Sequence, residues 1–381
     1  MDVNALLRRA VELGASDLHL KAGKAPAVRL DGEITRLDEA PLSEDDLRGI
    51  VAQIAPGRVV EFESNGELDL AYSVEELPRF RVNVFKQKGS TAFAFRAIPR
   101  QVPSLEELGL PAGVRRLAQE HRGLVLVTGA TGSGKSTTLA AVVDHLNESR
   151  QSHIVTIEDP IEFVHDDKQS IVSQREVGID TESFAQALRR ALRQDPDTIL
   201  IGELRDAETA QTALQAAESG HLVLSTMHTV DAAETVARLI EFFPEAKQQQ
   251  VRSILAGVLK GVISQRLLPR AGGGRIPALE LMVVNARIGD LIRENRPDEI
   301  TDAVAEGEYF DMQTFEQALI ALVLDSSIDQ ETAANAASNR HDFLVSLERA
   351  QKRQAVVEAA PESVAEAAPR EEPEPTGLRV A

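Results

Sequence analysis

Between Gly123 and Thr137 the chain reads Gly-Leu-Val-Leu-Val-Thr-Gly-Ala-Thr-Gly-Ser-Gly-Lys-Ser-Thr, and few folds accept such a run. An apolar stretch suited to a buried strand meets a turn with three glycines, and the amphipathic run Leu139, Val142, Val143, Leu146 continues as a helix. Gly129 and Gly134 satisfy GxxxxGK[ST], the phosphate-binding loop. Backbone N–H groups of such a loop wrap a polyphosphate, and the helix dipole adds its positive end. Side chains at the close-approach positions would hold the phosphates away, which is why glycine recurs. The pattern assigns nucleotide binding to Gly129, Thr131, Gly132, Ser133, Gly134, Lys135, Ser136 and Thr137. Lys135 reaches the terminal phosphates of the nucleotide and the Ser136 hydroxyl ligates Mg²⁺.

Three further apolar strands end in polar residues. His153–Ile157 runs into Glu158, Asp159 and Glu162; Thr198–Ile201 runs into Gly202 and Glu203; Leu222–Met227 ends at His228. In an open parallel sheet, ligands bind outside the carboxyl ends of the strands, so these groups are expected to face the same phosphates. Glu203 reads as an acid acting through the metal or its water, or alternatively as a carboxylate set against a helix dipole. Spacing does not choose among Glu158, Asp159 and Glu162 for the general base. His228 suits a γ-phosphate contact, whereas His221 precedes its strand and suits a structural role.

The first 98 residues follow another grammar. An amphipathic helix opens the chain, period-two alternation marks Ser16–Leu20 and Ala27–Leu30, and Ser43 is suited to cap a helix through Leu47, Ile50, Val51 and Ile54. Strands follow at Glu67–Tyr72, Phe80–Phe85 and Thr91–Ile98, the last two joined by a turn at Lys88-Gly89. Pairing Phe85 with Ala92 sets Arg81 opposite Arg96. Like charges so placed repel unless an anion lies over them, which makes an arginine clamp on nucleotide the functional alternative to two solvated side chains.

Pro99 and Pro103 bracket a joint at 99–104, Ser104 and Glu107 form a capping box, and strands then alternate with helices. The reading is an N-terminal α+β domain over 1–98, an α/β nucleotide-binding core with C-terminal helices over 105–353, and a disordered acidic Ala/Glu/Pro tail over 354–381. Leu268–Arg275 reads as a turn between strands, its basic residues facing solvent or a partner.

Composition closes several routes. Zero cysteines exclude disulfides, thiolate zinc sites and cysteine nucleophiles. A net charge of −19 with no tryptophan and two tyrosines argues against direct nucleic-acid binding and base stacking. No apolar run matches a membrane span, and the first helix does not read as a signal peptide, so the expected location is the cytoplasm.

Taken together, these segments resemble the type II/IV secretion ATPase superfamily, most closely its type IV pilus retraction ATPases. The resemblance rests on Ala15–Leu20, Arg79–Asn83, the phosphate loop, Thr156–Glu162, Gln174-Arg-Glu176, Asp195-Pro-Asp197 with Gly202-Glu203, and Gly220–Val223 with Met227-His228. It implies a PAS-like N-terminal domain on a RecA-like P-loop core, assembled as a homohexamer, with ATP as the nucleotide. By the same resemblance Glu162 is the catalytic base, Glu203 supports metal and water, and His228 contacts the γ-phosphate. Arg81 and Arg96 are then contacts to nucleotide held by an adjoining core. The implied partner is an inner-membrane pilus platform protein, which would keep the ring peripheral to the membrane at its inner face. Extension and secretion motors usually carry a further N-terminal domain and a tetracysteine element, both missing here. The retraction motif AIRNLIRE is matched at Arg287–Glu294 in Leu291-Ile-Arg-Glu294 but not at Arg287, Gly289 and Asp290, which leaves an accessory retraction role open.

Overall fold

The computed structural model describes residues 2–30 and 32–359. Its N-terminal domain is a six-stranded antiparallel sheet formed by β1 (Asp17–Lys21), β2 (Ala27–Leu30), β3 (Glu33–Arg36), β4 (Glu67–Tyr72), β5 (Phe80–Gln87) and β6 (Ser90–Ala97), in the order β3-β2-β1-β6-β5-β4. Period-two alternation puts Val82, Val84, Phe93 and Phe95 on one face. Helix Val3–Glu12 buries Val3, Leu6, Leu7 and Ala10 with them, and helix Glu44–Ile54 adds Leu47, Ile50 and Val51. The second helix is capped by Ser43 as expected, with Asp46 completing the box.

The core sheet holds β7 (Gly123–Thr128), β8 (His153–Glu158), β9 (Ile171–Glu176), β10 (Thr198–Ile201), β11 (Leu222–Met227), β12 (Leu259–Pro269) and β13 (Arg275–Val283), in the order β13-β12-β7-β11-β10-β8-β9. All neighbours are parallel except β12 and β13, which form a hairpin. Every residue of β7, β10 and β11 is buried, as strands covered on both faces require. The parallel arrangement delivers the ends of β7, β8, β10 and β11 to one edge of the sheet. This is the expected RecA-like core behind a PAS-like domain.

Two local expectations change. The Ser104/Glu107 box closes, with Glu107 N–H donating to Ser104 Oγ at 3.1 Å, but it caps a turn and not a helix. At the other end, helix Arg340–Ala359 runs past 354, so the boundary placed there for the tail falls inside a helix. Ala, Gln and Glu are good helix formers even with nothing to bury, so composition alone set that boundary too early. The remainder of the expected tail lies outside the described residues.

Candidate functional site

A cleft at the carboxyl edge of the core sheet is lined by the phosphate loop and by Glu158, Asp159, Glu162, Glu203 and His228. The two pattern glycines are fixed by their backbone and by β12. Gly129 has φ +139° and a Cβ there would lie 2.4 Å from the Gln265 carbonyl oxygen; Gly134 has φ +90° and its Cβ would lie 2.7 Å from Gln265 Nε2. Gln265 is buried and braces the loop, donating to the Ser133 carbonyl at 2.7 Å and accepting from Thr138 Oγ1 at 2.8 Å. It lies far from the loop in sequence, and no local pattern announces it.

Lys135 opens helix Lys135–Ser149 and is buried, its ammonium donating to the carbonyls of Gly129 at 2.8 Å and Ala130 at 3.0 Å. Burial lowers its pKa, while the charges of Glu203 and Glu162 work in the opposite direction. Glu162 is therefore the acid of its loop whose charge faces Lys135. Glu158 is withdrawn: it accepts from Thr156 Oγ1 at 2.6 Å and from Gln174 Nε2 at 3.1 Å, and burial raises its pKa. Asp159 and Glu162 are exposed along the cleft.

Glu203 follows β10 and is held from both sides. Arg205 pairs with Oε1, and His228 Nε2 stands 3.3 Å from Oε2. That second oxygen is buried with no hydrogen-bond donor. The glycine before Glu203 also has a packing reason, because a Cβ at Gly202 would press against the Phe184 ring at 3.3 Å and the Ile157 carbonyl at 3.4 Å. A side chain there requires the Phe184 ring to give by a few tenths of an ångström. Arg275, at the end of the β12–β13 turn, lines the same cleft, so at least one basic residue of that turn faces nucleotide space.

Arg81 and Arg96 do not line the cleft of their own chain. The β5–β6 register does pair Phe85 with Ala92 and Arg81 with Arg96.

A glycine loop with its lysine, two carboxylates and an imidazole gathered at the carboxyl edge of a RecA-like sheet define a P-loop ATPase. The family model described as Type II/IV secretion system protein matches residues 1–275. The Type IV pilus retractation ATPase PilT of Pseudomonas aeruginosa is 45% identical over 344 residues, covering 90% of this chain and 100% of its own length. The Twitching motility protein of Neisseria gonorrhoeae is 44% identical over 316 residues, 82% of this chain and 84% of its own. The crystal structure of the pilus retraction motor PilT with bound ADP matches with a TM-score of 0.83 at 46% identity, over 90% of this chain and 98% of that one. The chain belongs to the type II/IV secretion system protein family.

Proposed function

We propose that the protein is an ATP-hydrolysing motor that powers retraction of type IV pili as a homohexamer. Its Ser136 hydroxyl and the donorless Glu203 Oε2 fit Mg²⁺, which binds through few protein oxygens and the substrate phosphates. When bound, the ion neutralises charge on the phosphates.

The protein's own groups divide the rest of the work. Lys135 exchanges its two loop carbonyls for phosphate oxygens. Glu162 takes the proton of the attacking water, Glu203 sets that water in line, and His228 contacts the γ-phosphate. Arg81 and Arg96 reach nucleotide held by a neighbouring core, which makes turnover depend on how N-terminal domains close on adjoining subunits. The closure is passed to a platform protein in the inner membrane, at whose cytoplasmic face the ring works. No helix among the described residues is long and apolar enough to cross a membrane itself.

The observation that carries this reading is the convergence of Lys135, Glu162, Glu203 and His228 on one cleft in a chain that matches a retraction ATPase over 90% of its length. The test replaces the gene in a piliated host by the Glu203→Gln form. The expected result is surface pili that accumulate and cells that no longer twitch; normal twitching overturns the retraction role.

A further inference from the structure

β9 stands at the edge of the core sheet beside β8, and its alternate residues Gln174 and Glu176 share one face, turned toward the loop that carries Glu162. Gln174 holds both ends of that loop. Its amide donates to the Glu158 carboxylate at 3.1 Å and the Phe163 carbonyl at 2.9 Å, and its oxygen accepts from the His165 N–H at 2.8 Å. Glu176 faces the middle of the loop, where the backbone of Ile161, the residue before Glu162, favours its charged form. Its own N–H is fixed by Asp180 Oδ2 at 2.8 Å. Ile161 is itself 2% exposed, so the loop is pinned by packing as well.

The second partner of Glu176 comes from the other domain. Arg79, at the entry to β5, donates to Glu176 Oε2 at 3.0 Å, and the Glu176 side chain is 9% exposed. Arg81 adds a weaker favourable charge, and Asp180 opposes. One more link crosses the joint, from the Val164 N–H to the Pro99 carbonyl at 3.4 Å. Arg79, Arg100, Leu77 and Val74 line a small cavity with Ile161 and Val164, so the N-terminal domain rests directly on the loop.

We propose that the Arg79–Glu176 pair is a positioning device that ties the seating of the N-terminal domain on its own core to the setting of the Glu162 loop. The inference rests on Glu162 as the base, and it adds a coupling within one subunit to the one between subunits. When the domain swings away, Arg79 leaves Ile161 and Val164 of the loop uncovered and a carboxylate beside them buried without its cation. Turnover at a given cleft then follows the angle of the domain above it. Neither residue touches nucleotide: Arg79 and Glu176 act through the loop.

The test uses the full-length protein with Arg79→Ala, Arg79→Lys, Glu176→Gln and the double variant Arg79→Ala/Glu176→Gln, beside Glu162→Gln. The readouts are kcat and KM for ATP, the Kd of fluorescent ADP, and the mass of the assembly. Arg79 is partly exposed, and Glu176→Gln removes the charge while keeping the shape of the side chain. Arg79→Ala is expected to lower kcat about tenfold with the ADP Kd and the assembly mass unchanged, and Arg79→Lys to restore most of it. The double variant is expected to be no slower than the slower single one, because both remove the same link. A wild-type kcat for Arg79→Ala, a matching loss of ADP affinity, or additive losses in the double variant each overturn the proposal. A dead Glu162→Gln beside an unimpaired Arg79→Ala overturns the coupling alone. A Glu162→Gln enzyme at wild-type kcat overturns the reading of Glu162, and the coupling with it.

Discussion

Arg96 is tied to Asp17 by a 2.9 Å hydrogen bond, whereas Arg81, directly across the hairpin, has no ion-pair partner within 4 Å among the described residues. The anion that like charges at this position require is thus supplied from within the domain, by an aspartate that is itself buried. Burial works to raise the Asp17 pKa, but hydrogen bonds from Ser16 and Arg96 outweigh it and hold the carboxyl below its ordinary range. The two arginines of the proposed clamp are therefore unequal: Arg81 is free to meet a neighbour's nucleotide, and Arg96 is already engaged at home.

This inequality predicts separable phenotypes. Arg81→Ala should lower ATP turnover of the assembled protein by about 10²-fold or more, as loss of a trans arginine does, without changing the melting temperature. Arg96→Ala should lose turnover and also destabilise the N-terminal domain by up to about 1 kcal/mol, since the exposed guanidinium is screened by solvent. The Asp17 share of that stability is present above the unfolded pKa and lost as pH falls through the depressed folded one. The two variants should therefore converge in melting temperature in acid. Equal melting temperatures of the two variants at pH 7 would sink the distinction.

Glu203→Ala should bind ATP and fail to turn it over, because Lys135 and the loop N–H groups that hold the phosphates are untouched. Phosphate release and fluorescent-nucleotide binding, measured side by side, check this. Near-normal hydrolysis would remove Glu203 from the reaction.

Much of the site was readable in the chain because phosphate chemistry dictates residue type locally: Gly129, Gly134, Lys135 and Ser136 sit within eight positions. The pairing of Arg81 with Arg96 was readable because a short turn fixes the register of a hairpin. Choosing among Glu158, Asp159 and Glu162 was not, since three acids on one loop differ only in what folds over them. Gln174 and Thr156 take Glu158 out of contention by donating to its carboxylate, and the Gln174 bond requires β9 to lie beside β8. Gln265 was invisible for the same reason, as its partners Ser133 and Thr138 meet it only when β12 pairs with β7. The helix that runs on through Ala359 shows the reverse case, where low apolar content suggests disorder although the intrinsic helix preference is high.

Gln265 gives a prediction that tests this long-range brace. Gln265→Leu removes the partners of a buried hydroxyl and a buried carbonyl beneath the phosphate loop, each worth about 1–3 kcal/mol when left unmade. Nucleotide affinity should fall with stability, because Gly134 is shaped around this side chain. Gln265→Leu with the wild-type Kd for ADP would show that the loop holds its form unaided.

The last prediction concerns Glu280, on β13, which the reaction does not use. It is buried and accepts from the Ala232 N–H at 2.8 Å, at the start of the helix that follows the His228 loop. Burial is the main cause that pushes its pKa up to about 7; the Asp231 charge adds to the rise, and the Ala232 and Phe315 N–H groups and Arg266 oppose it. The folded-state pKa is thus above the unfolded one. Its favourable contribution is complete below about pH 4.5 and is lost as pH rises through about 7, a span that corresponds to about 3 kcal/mol. Glu280→Gln keeps the carbonyl acceptor for Ala232 and carries no charge to bury. The variant should therefore match wild type near pH 5 and exceed it in melting temperature at pH 8, with the gap opening between those values. Melting curves of both proteins across that range decide the matter. A gap that stays constant, or that closes as pH rises, would mean that Glu280 keeps an ordinary carboxylate pKa in the folded protein and that the Arg266 charge and the two N–H groups offset its burial in full.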